Sequence, residues 1–356
     1  SFPTRRSSDL RWLSKSNIIS NESTSYRNKN APSIGIKHNN IIWDAIAYTK
    51  TTGLNNVVGA KATNKEKQTL VVLDVVLSEA YDQVHLDGFL GRVQININSV
   101  KKGNRKVIPV IVYRTCSRHV LNQISVLGFI AFDIGSIFGS HIYSVLQKLR
   151  KIDTLIDTKN SIEDTVTSIL KTIRSSGQED ALKDLKGTLF EFLMYPVILK
   201  IFGSTNIERN RIFKTKVDGK TYSYEYDYIV YSDNPRELIV IELKGYHSKA
   251  QIPLGDSQTK ATLRWFFRRT IPFIQNELKE RLADNRIFKA VFITSANFDD
   301  HGHKFLDSLN SSSLKPKNSN VGYDRHQLVS LLEEYGFENE RKAIEKYYTT
   351  DADYEP

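Results

Sequence analysis

Apolar positions in the second half of the chain change period in an ordered way. From Ala181 to Phe202, Leu182, Leu185, Leu189, Leu193 and Val197 recur at three- and four-residue steps, which predicts an amphipathic helix. Pro196 is expected to bend or end its regular part. Arg209 to Val217 then reads as a strand, and Asp218-Gly219 as a hairpin turn. Two further strands flank the polar turn Ser232-Asp233-Asn234-Pro235-Arg236. Ser257 to Ala283 predicts a long helix bent at Pro272, Phe288 to Thr294 a short apolar strand, and Arg325 to Tyr335 a closing helix. Upstream, Ile41 to Lys50, Leu121 to Leu127 and Ser140 to Leu149 read as helices. Thr69 to Ser78, Val93 to Ile97, Val107 to Tyr113 and Phe129 to Asp133 read as strands. The fold class is α/β in both halves. The expected organisation is a disordered or non-native leader at 1–40, an α/β domain at 41–155, a polar linker at 156–180 and a second domain at 181–356.

Strand side chains alternate faces. In Leu-Ile-Val-Ile-Glu242-Leu-Lys244, Ile239, Ile241 and Leu243 share one face, and Glu242 and Lys244 the other. On the preceding strand, Tyr222, Tyr224, Tyr226 and Tyr228 are expected to share a face, with Glu225 and Asp227 opposite. A hairpin folded without a bulge about Asn234-Pro235 sets Asp227 against Glu242 and Glu225 against Lys244. Directly opposed side chains sit roughly 5 Å apart at Cβ. Two carboxylates that close repel unless one is protonated or a cation lies between them. A hard divalent cation suits oxygen ligands. The plainer reading is also open: Glu225 and Lys244 as a cross-strand ion pair, Asp227 and Glu242 as solvated positions on a half-exposed sheet.

Asp227, a spacer, then Glu242-x-Lys244 at the end of an apolar strand resembles the core motif of the PD-(D/E)xK, or restriction-endonuclease-like, nuclease superfamily. The resemblance covers roughly residues 181–300, and the predicted order αβββαβ suits it. Tyr226, not proline, precedes Asp227. The resemblance implies a restriction-endonuclease-like core in the C-terminal half, preceded by a separate α/β domain. It implies catalytic roles for Asp227, Glu242 and Lys244. It also implies Mg²⁺, with Mn²⁺ able to substitute, on Asp227, Glu242, the Leu243 carbonyl and Glu191. Gly187, one turn before Glu191, is expected to let that helix approach the sheet closely. His247, Lys249, Lys260 and Arg264 are candidate nucleic-acid contacts. The implied activity is a DNA endonuclease of restriction or anti-phage type acting on double-stranded DNA, alone, as a homodimer or with other subunits. The alternative is a non-catalytic nucleic-acid- or partner-binding subunit of a larger defence or transposition complex.

Charge is compatible with both. The formal net charge is +10 over 356 residues, and the stretch from Leu331 is acidic, so the body is more basic still. A basic balance favours a polyanionic partner. Cys116 is the only cysteine, which excludes an internal disulfide and a cysteine zinc cluster and makes a cytoplasmic setting the default. The longest apolar stretch, Ile124 to Leu146, is interrupted by Asp133, Ser136, Ser140 and His141, so no membrane span is expected. Gly135 to Gly139 lacks the lysine of a phosphate loop. Three further places hold secondary candidates: Asp74 and Asp133 in apolar strands, the basic loop Lys101, Lys102, Arg105 and Lys106, and His301-Gly302-His303 in a glycine loop. Asp74 and Asp133 also suit strand-end hydrogen bonding.

Overall fold

The computed structural model describes residues 10–14, 16, 18–20, 24–27, 35–49, 69–98, 107–158, 162–176, 182–203, 206–217, 220–279 and 286–349. It is a mixed α/β protein. The chain divides into two compact units, Ser1–Lys151 with Thr172–Leu185, and Ile152–Lys171 with Lys186–Pro356. Among the described residues no helix is long and apolar enough to cross a membrane.

The first unit holds a five-stranded sheet in the order β1-β4-β5-β6-β7. Its strands are β1 (Ser25–Tyr26), β4 (Ala45–Tyr48), β5 (Leu70–Val76), β6 (Val107–Tyr113) and β7 (Ile130–Asp133). β5, β6 and β7 run parallel. The unbroken apolar run of β5 is what a strand covered on both faces requires, and six of its seven residues are buried. A small hairpin, β2 (Ile36–His38) with β3 (Ile41–Trp43), forms its own ladder and packs Ile41 and Trp43 into the same core. The predicted helix at Ile41–Lys50 is instead β3 and β4. Ile41, Trp43, Ala45 and Ala47 alternate inward, and pairing with β2 and β5 supplies their backbone partners. The predicted strand Val93–Ile97 lies inside helix α2 (Gln83–Asn98), where Leu86, Phe89 and Val93 keep helical spacing on one buried stripe. α3 is Arg118–Val126, capped by Ser117, and α4 is Ile134–Phe138.

Part of the expected leader is folded. α1 (residues 10–14) buries Leu10 and Leu13, Ile19 is fully buried, and β1 pairs with β4. The expected linker at 156–180 takes in the last turn of α5 (Ile142–Thr158) and carries α6 (Ile162–Ser175), whose Ile162, Val166, Ile169 and Leu170 are buried. These apolar stripes need cover, so they pack rather than span. The basic loop at 101–106 lies outside the described residues.

The second unit holds the sheet β14-β12-β10-β9-β8. Its strands are β8 (Ile207–Val217), β9 (Lys220–Asp233), β10 (Arg236–Lys244), β12 (Ile287–Thr294) and β14 (Gly322–Tyr323). β8, β9 and β10 are antiparallel, while β12 joins β10, and β14 joins β12, in parallel. α7 (Lys183–Phe202) precedes β8 and continues through Pro196. The long helix predicted from Ser257 begins only at Leu263, with Thr262 as its cap. It runs as α8 (Leu263–Trp265), a π-turn (Phe266–Thr270) and α9 (Ile271–Lys279). Pro272 has no N–H for the carbonyl four residues back, and the helix widens just before it. Phe266, Phe267, Ile271, Ile274 and Leu278 pack with Leu238, Val240 and Phe292 into one core. α10 (Asp300–Leu309), α11 (Arg325–Glu334) and α12 (Glu338–Tyr347) complete the unit, with the short pair β11 (Gln251–Ile252) and β13 (Asn297–Phe298).

Candidate active site

The β9–β10 hairpin has the register that its turn predicts. Its ladder runs from Arg236 opposite Asp233 to Ile241 opposite Tyr228. The next positions in that register are Asp227 and Glu242, where the regular ladder stops. On the other side of β9, the β8 ladder skips Asn210 and Asp227, and Asn210 has φ +51°. The strand turns over at this point. Tyr226 gives its hydroxyl to the Thr270 carbonyl at 2.6 Å, whereas Tyr228 gives its own to the Glu191 carbonyl on α7 at 2.9 Å. The four tyrosines therefore do not share a face, contrary to the sequence pattern. The change of face falls where the left-handed Asn210 of β8 stands opposite Asp227.

Asp227 sits at the break and is 9% exposed. Its carboxylate accepts the Leu243 N–H at 2.7 Å, in place of a ladder partner. Beside it, Lys244 Nζ pairs with Glu242 Oε1 and lies 3.3 Å from the Leu243 carbonyl. Both side chains are 19% exposed. Burial pushes Glu242 up to about 7, the Lys244 ammonium opposing it and the Asp227 and Glu225 charges adding to it. Burial also works against the Lys244 charge, but Glu242 and Asp227 outweigh it and hold this lysine above its ordinary range. Asp227, Glu242 and Lys244 thus act on one another at the end of β10.

The backbone here is fixed from two sides. The Lys244 carbonyl accepts from Thr294 Oγ1 at 2.8 Å and from Ser295 N–H at 3.1 Å, and Ser295 Oγ donates to the Tyr246 carbonyl at 2.7 Å. A Cβ on Gly245 would meet Phe190 Cβ of α7 at 2.5 Å. The close approach expected of Gly187 is made by Gly245 instead; Gly187 faces open space. α7 therefore covers the face of β10 opposite to Glu242 and Lys244. Glu191 is on that helix, and its charge acts on Tyr228 and Tyr348. Of the four expected metal ligands, Asp227, Glu242 and the Leu243 carbonyl come together. Glu191 shares only the Tyr228 neighbourhood with Asp227.

Two carboxylates and a carbonyl fit a hard cation; Glu242 is lifted first by burial, with Lys244 opposing and Asp227 adding to it. Among the described residues no group of three or more His, Cys, Asp and Glu side chains is disposed to hold a metal. The fit is therefore to the acid pair with backbone oxygen. His247, Lys249, Lys260 and Arg264 are all exposed, the first three in the stretch after β10 and Arg264 in α8. Sequence reasoning missed Tyr246, whose position in phase with Glu242 and Lys244 was the available signal.

The secondary candidates are structural. Asp74, 5% exposed, accepts from Arg92 at 2.8 Å and from the Tyr81 hydroxyl at 3.1 Å. Asp133 caps α4 through the Gly135 N–H at 2.6 Å and also takes the Tyr143 hydroxyl. His301 and His303 lie in the first turn of α10, not in a loop, and His303 Nε2 is 3.4 Å from Asp324.

No protein-family model matches the chain, and no curated protein matches it. Among solved structures, the crystal structure of protein VC1899 from Vibrio cholerae is similar at a TM-score of 0.30 and 13% identity. The likeness covers 64% of this chain and 58% of that one. At that level it carries no information on activity.

Proposed function

We propose that the second unit is a metal-dependent nuclease of the PD-(D/E)xK type, hydrolysing phosphodiester bonds in DNA. The observation that carries this reading is the meeting of Asp227, Glu242 and Lys244 at one strand end, each altering the ionisation of another or altered by it. The element order α7-β8-β9-β10-α8/α9-β12 supports it. Asp227, Glu242 and the Leu243 carbonyl would hold Mg²⁺. When bound, the cation supplies charge neutralisation at the scissile phosphate and a bound water of lowered pKa. The Asp227 carboxylate, anchored on Leu243 N–H, keeps one oxygen turned from that bond. Lys244, released from Glu242, presents an ammonium to the attacking water or to the crowded phosphate. The water oxygen would bond to phosphorus as the P–O3′ bond breaks, the water's proton passing to solvent and the 3′-oxygen taking one up, which leaves 5′-phosphate and 3′-hydroxyl ends, as the resemblance implies. The +10 net charge suits a polyanionic substrate.

The test is cleavage of plasmid and oligonucleotide DNA by the full chain with Mg²⁺, Mn²⁺, Ca²⁺ or EDTA. Mg²⁺ and Mn²⁺ are expected to support cutting. Ca²⁺ is expected to support binding more than cutting, because its looser coordination places water poorly. Asp227→Asn and Lys244→Ala are expected to lose turnover by orders of magnitude and keep DNA binding. Undiminished cleavage in EDTA, or by both variants, rejects the reading. Equal binding by parent and variants with no cleavage of any substrate favours the non-catalytic binding module.

A further inference from the structure

Among the described residues, Tyr246 is the one aromatic side chain that is exposed, at 40%. The other described Phe, Tyr and Trp rings are buried or half-buried. The exception stands two residues beyond Lys244. An isolated exposed ring needs no explanation on a loose loop. This one is on clamped backbone. Its carbonyl accepts from Ser295, its neighbour Gly245 is pressed against Phe190, and the Lys244 carbonyl is held by Thr294 and Ser295. Thr294 and Ser295 are fully buried. The ring is held in place yet presented to solvent.

Its place follows from its neighbours. Gly245, just past the end of β10, lies against Phe190 of α7, and the Tyr246 carbonyl is held by Ser295. Tyr246 lies in the neighbourhood of Lys244. The exposed His247 and Lys249 follow. A rigid ring beside a phosphate-handling centre, followed by cationic side chains, is the composition of a surface that tracks a strand and stacks its bases. In a duplex the base faces are hidden in the stack, and a ring at the backbone meets only sugar and phosphate. A ring here has a base to stack on only where the strand is unpaired.

We propose that Tyr246 is a stacking platform for the nucleobase next to the scissile phosphate, and that the site takes single-stranded or locally unpaired nucleic acid. The proposal deepens the nuclease reading and rests on it.

Tyr246→Ala and Tyr246→Phe are compared with the parent full chain. Binding is measured in EDTA to a single-stranded oligonucleotide, to its duplex, and to a single strand carrying 2-aminopurine, whose fluorescence is quenched by stacking. Cleavage of the same strands is measured with Mg²⁺, and melting temperatures check folding. The expected result is a roughly tenfold or larger loss of single-strand affinity in Tyr246→Ala, with quenching lost and duplex affinity unmoved. Tyr246→Phe keeps the ring and is expected to restore both. Cleavage should favour the single strand, and Tyr246→Ala should remove that preference. Unchanged single-strand affinity in Tyr246→Ala, or an equal loss on duplex, overturns the stacking role while leaving metal-dependent cutting intact. Absence of cutting by the parent, with selective loss of single-strand binding in Tyr246→Ala, rejects the nuclease reading and with it the place beside a scissile phosphate, leaving Tyr246 as a stacking residue of a binding module.

Discussion

Asp227 does two jobs that different substitutions separate. Its carboxylate accepts the N–H of Leu243, a residue only 4% exposed, at 2.7 Å. Its charge raises Glu242 and Lys244. Asp227→Ala removes both and leaves a buried N–H without an acceptor, which costs about 1–3 kcal/mol. Asp227→Asn keeps an amide oxygen for the same N–H and removes only the charge. The asparagine variant should therefore hold nearly parental stability at pH 7, and the alanine variant should fall below it by about 1–3 kcal/mol. Relieved of the Asp227 charge, Glu242 should titrate below the parental value of about 7 in the asparagine variant. Each unit of that fall is worth about 1.4 kcal/mol. Urea unfolding at pH 7 measures the first difference, and NMR titration of the Glu242 carboxyl carbon the second. Equal stability of the two variants would refute the structural role of the Asp227–Leu243 bond. A Glu242 titration unmoved by Asp227→Asn would refute the proximity on which the site rests.

Four further outcomes follow from the same geometry. Glu242 has a folded value of about 7 against an ordinary 4.5, so the folded state binds its proton more tightly. Its contribution to stability is fully present below pH 4.5 and is lost as pH rises towards 7; the unfolding free energy of the parent minus that of Glu242→Gln should decline across that window, by roughly 3 kcal/mol at most. A flat difference would contradict the burial of this carboxyl. Gly245→Ala forces a Cβ to within 2.5 Å of Phe190 Cβ and should destabilise by about 1–3 kcal/mol in thermal or urea unfolding, with cleavage impaired at the adjacent Lys244. Gly187→Ala, in a helix with open space around it, should stabilise by roughly 0.5–1 kcal/mol, and the opposite ranking would disprove the α7–β10 contact as described. Tyr226→Phe leaves the buried Thr270 carbonyl without its hydroxyl donor and should cost about 1 kcal/mol, read by thermal melting; no change would mean that another donor serves the π-turn.

What could be read ahead of the structure is what a single segment encodes. The turn about Asn234-Pro235 fixes the β9–β10 register, and the alternation of Leu238 to Lys244 fixes which acids and lysine share a side; neither needs a distant residue. The run at Leu70–Val76 announces a strand buried on both faces for the same reason. The misreadings have a common cause, which is information held elsewhere in the chain. Ile41 to Lys50 fits helix or strand locally, and only β2 and β5 decide it. Val93 to Ile97 alternates like a strand, but Leu86 and Phe89 upstream make it the end of a helix. The break at Asp227 is the most consequential case. Its own strand alternates cleanly in sequence, yet Asn210 on β8 takes a left-handed conformation, the ladder lapses, and Tyr226 and Tyr228 part to opposite faces. Where the β9–β10 ladder ends, the Leu243 N–H takes the Asp227 carboxylate as its acceptor. The turn and the local motif name the acids and set them opposite one another, while the parting of the tyrosines and the Asp227–Leu243 bond follow from where the ladders break, which no single segment announces.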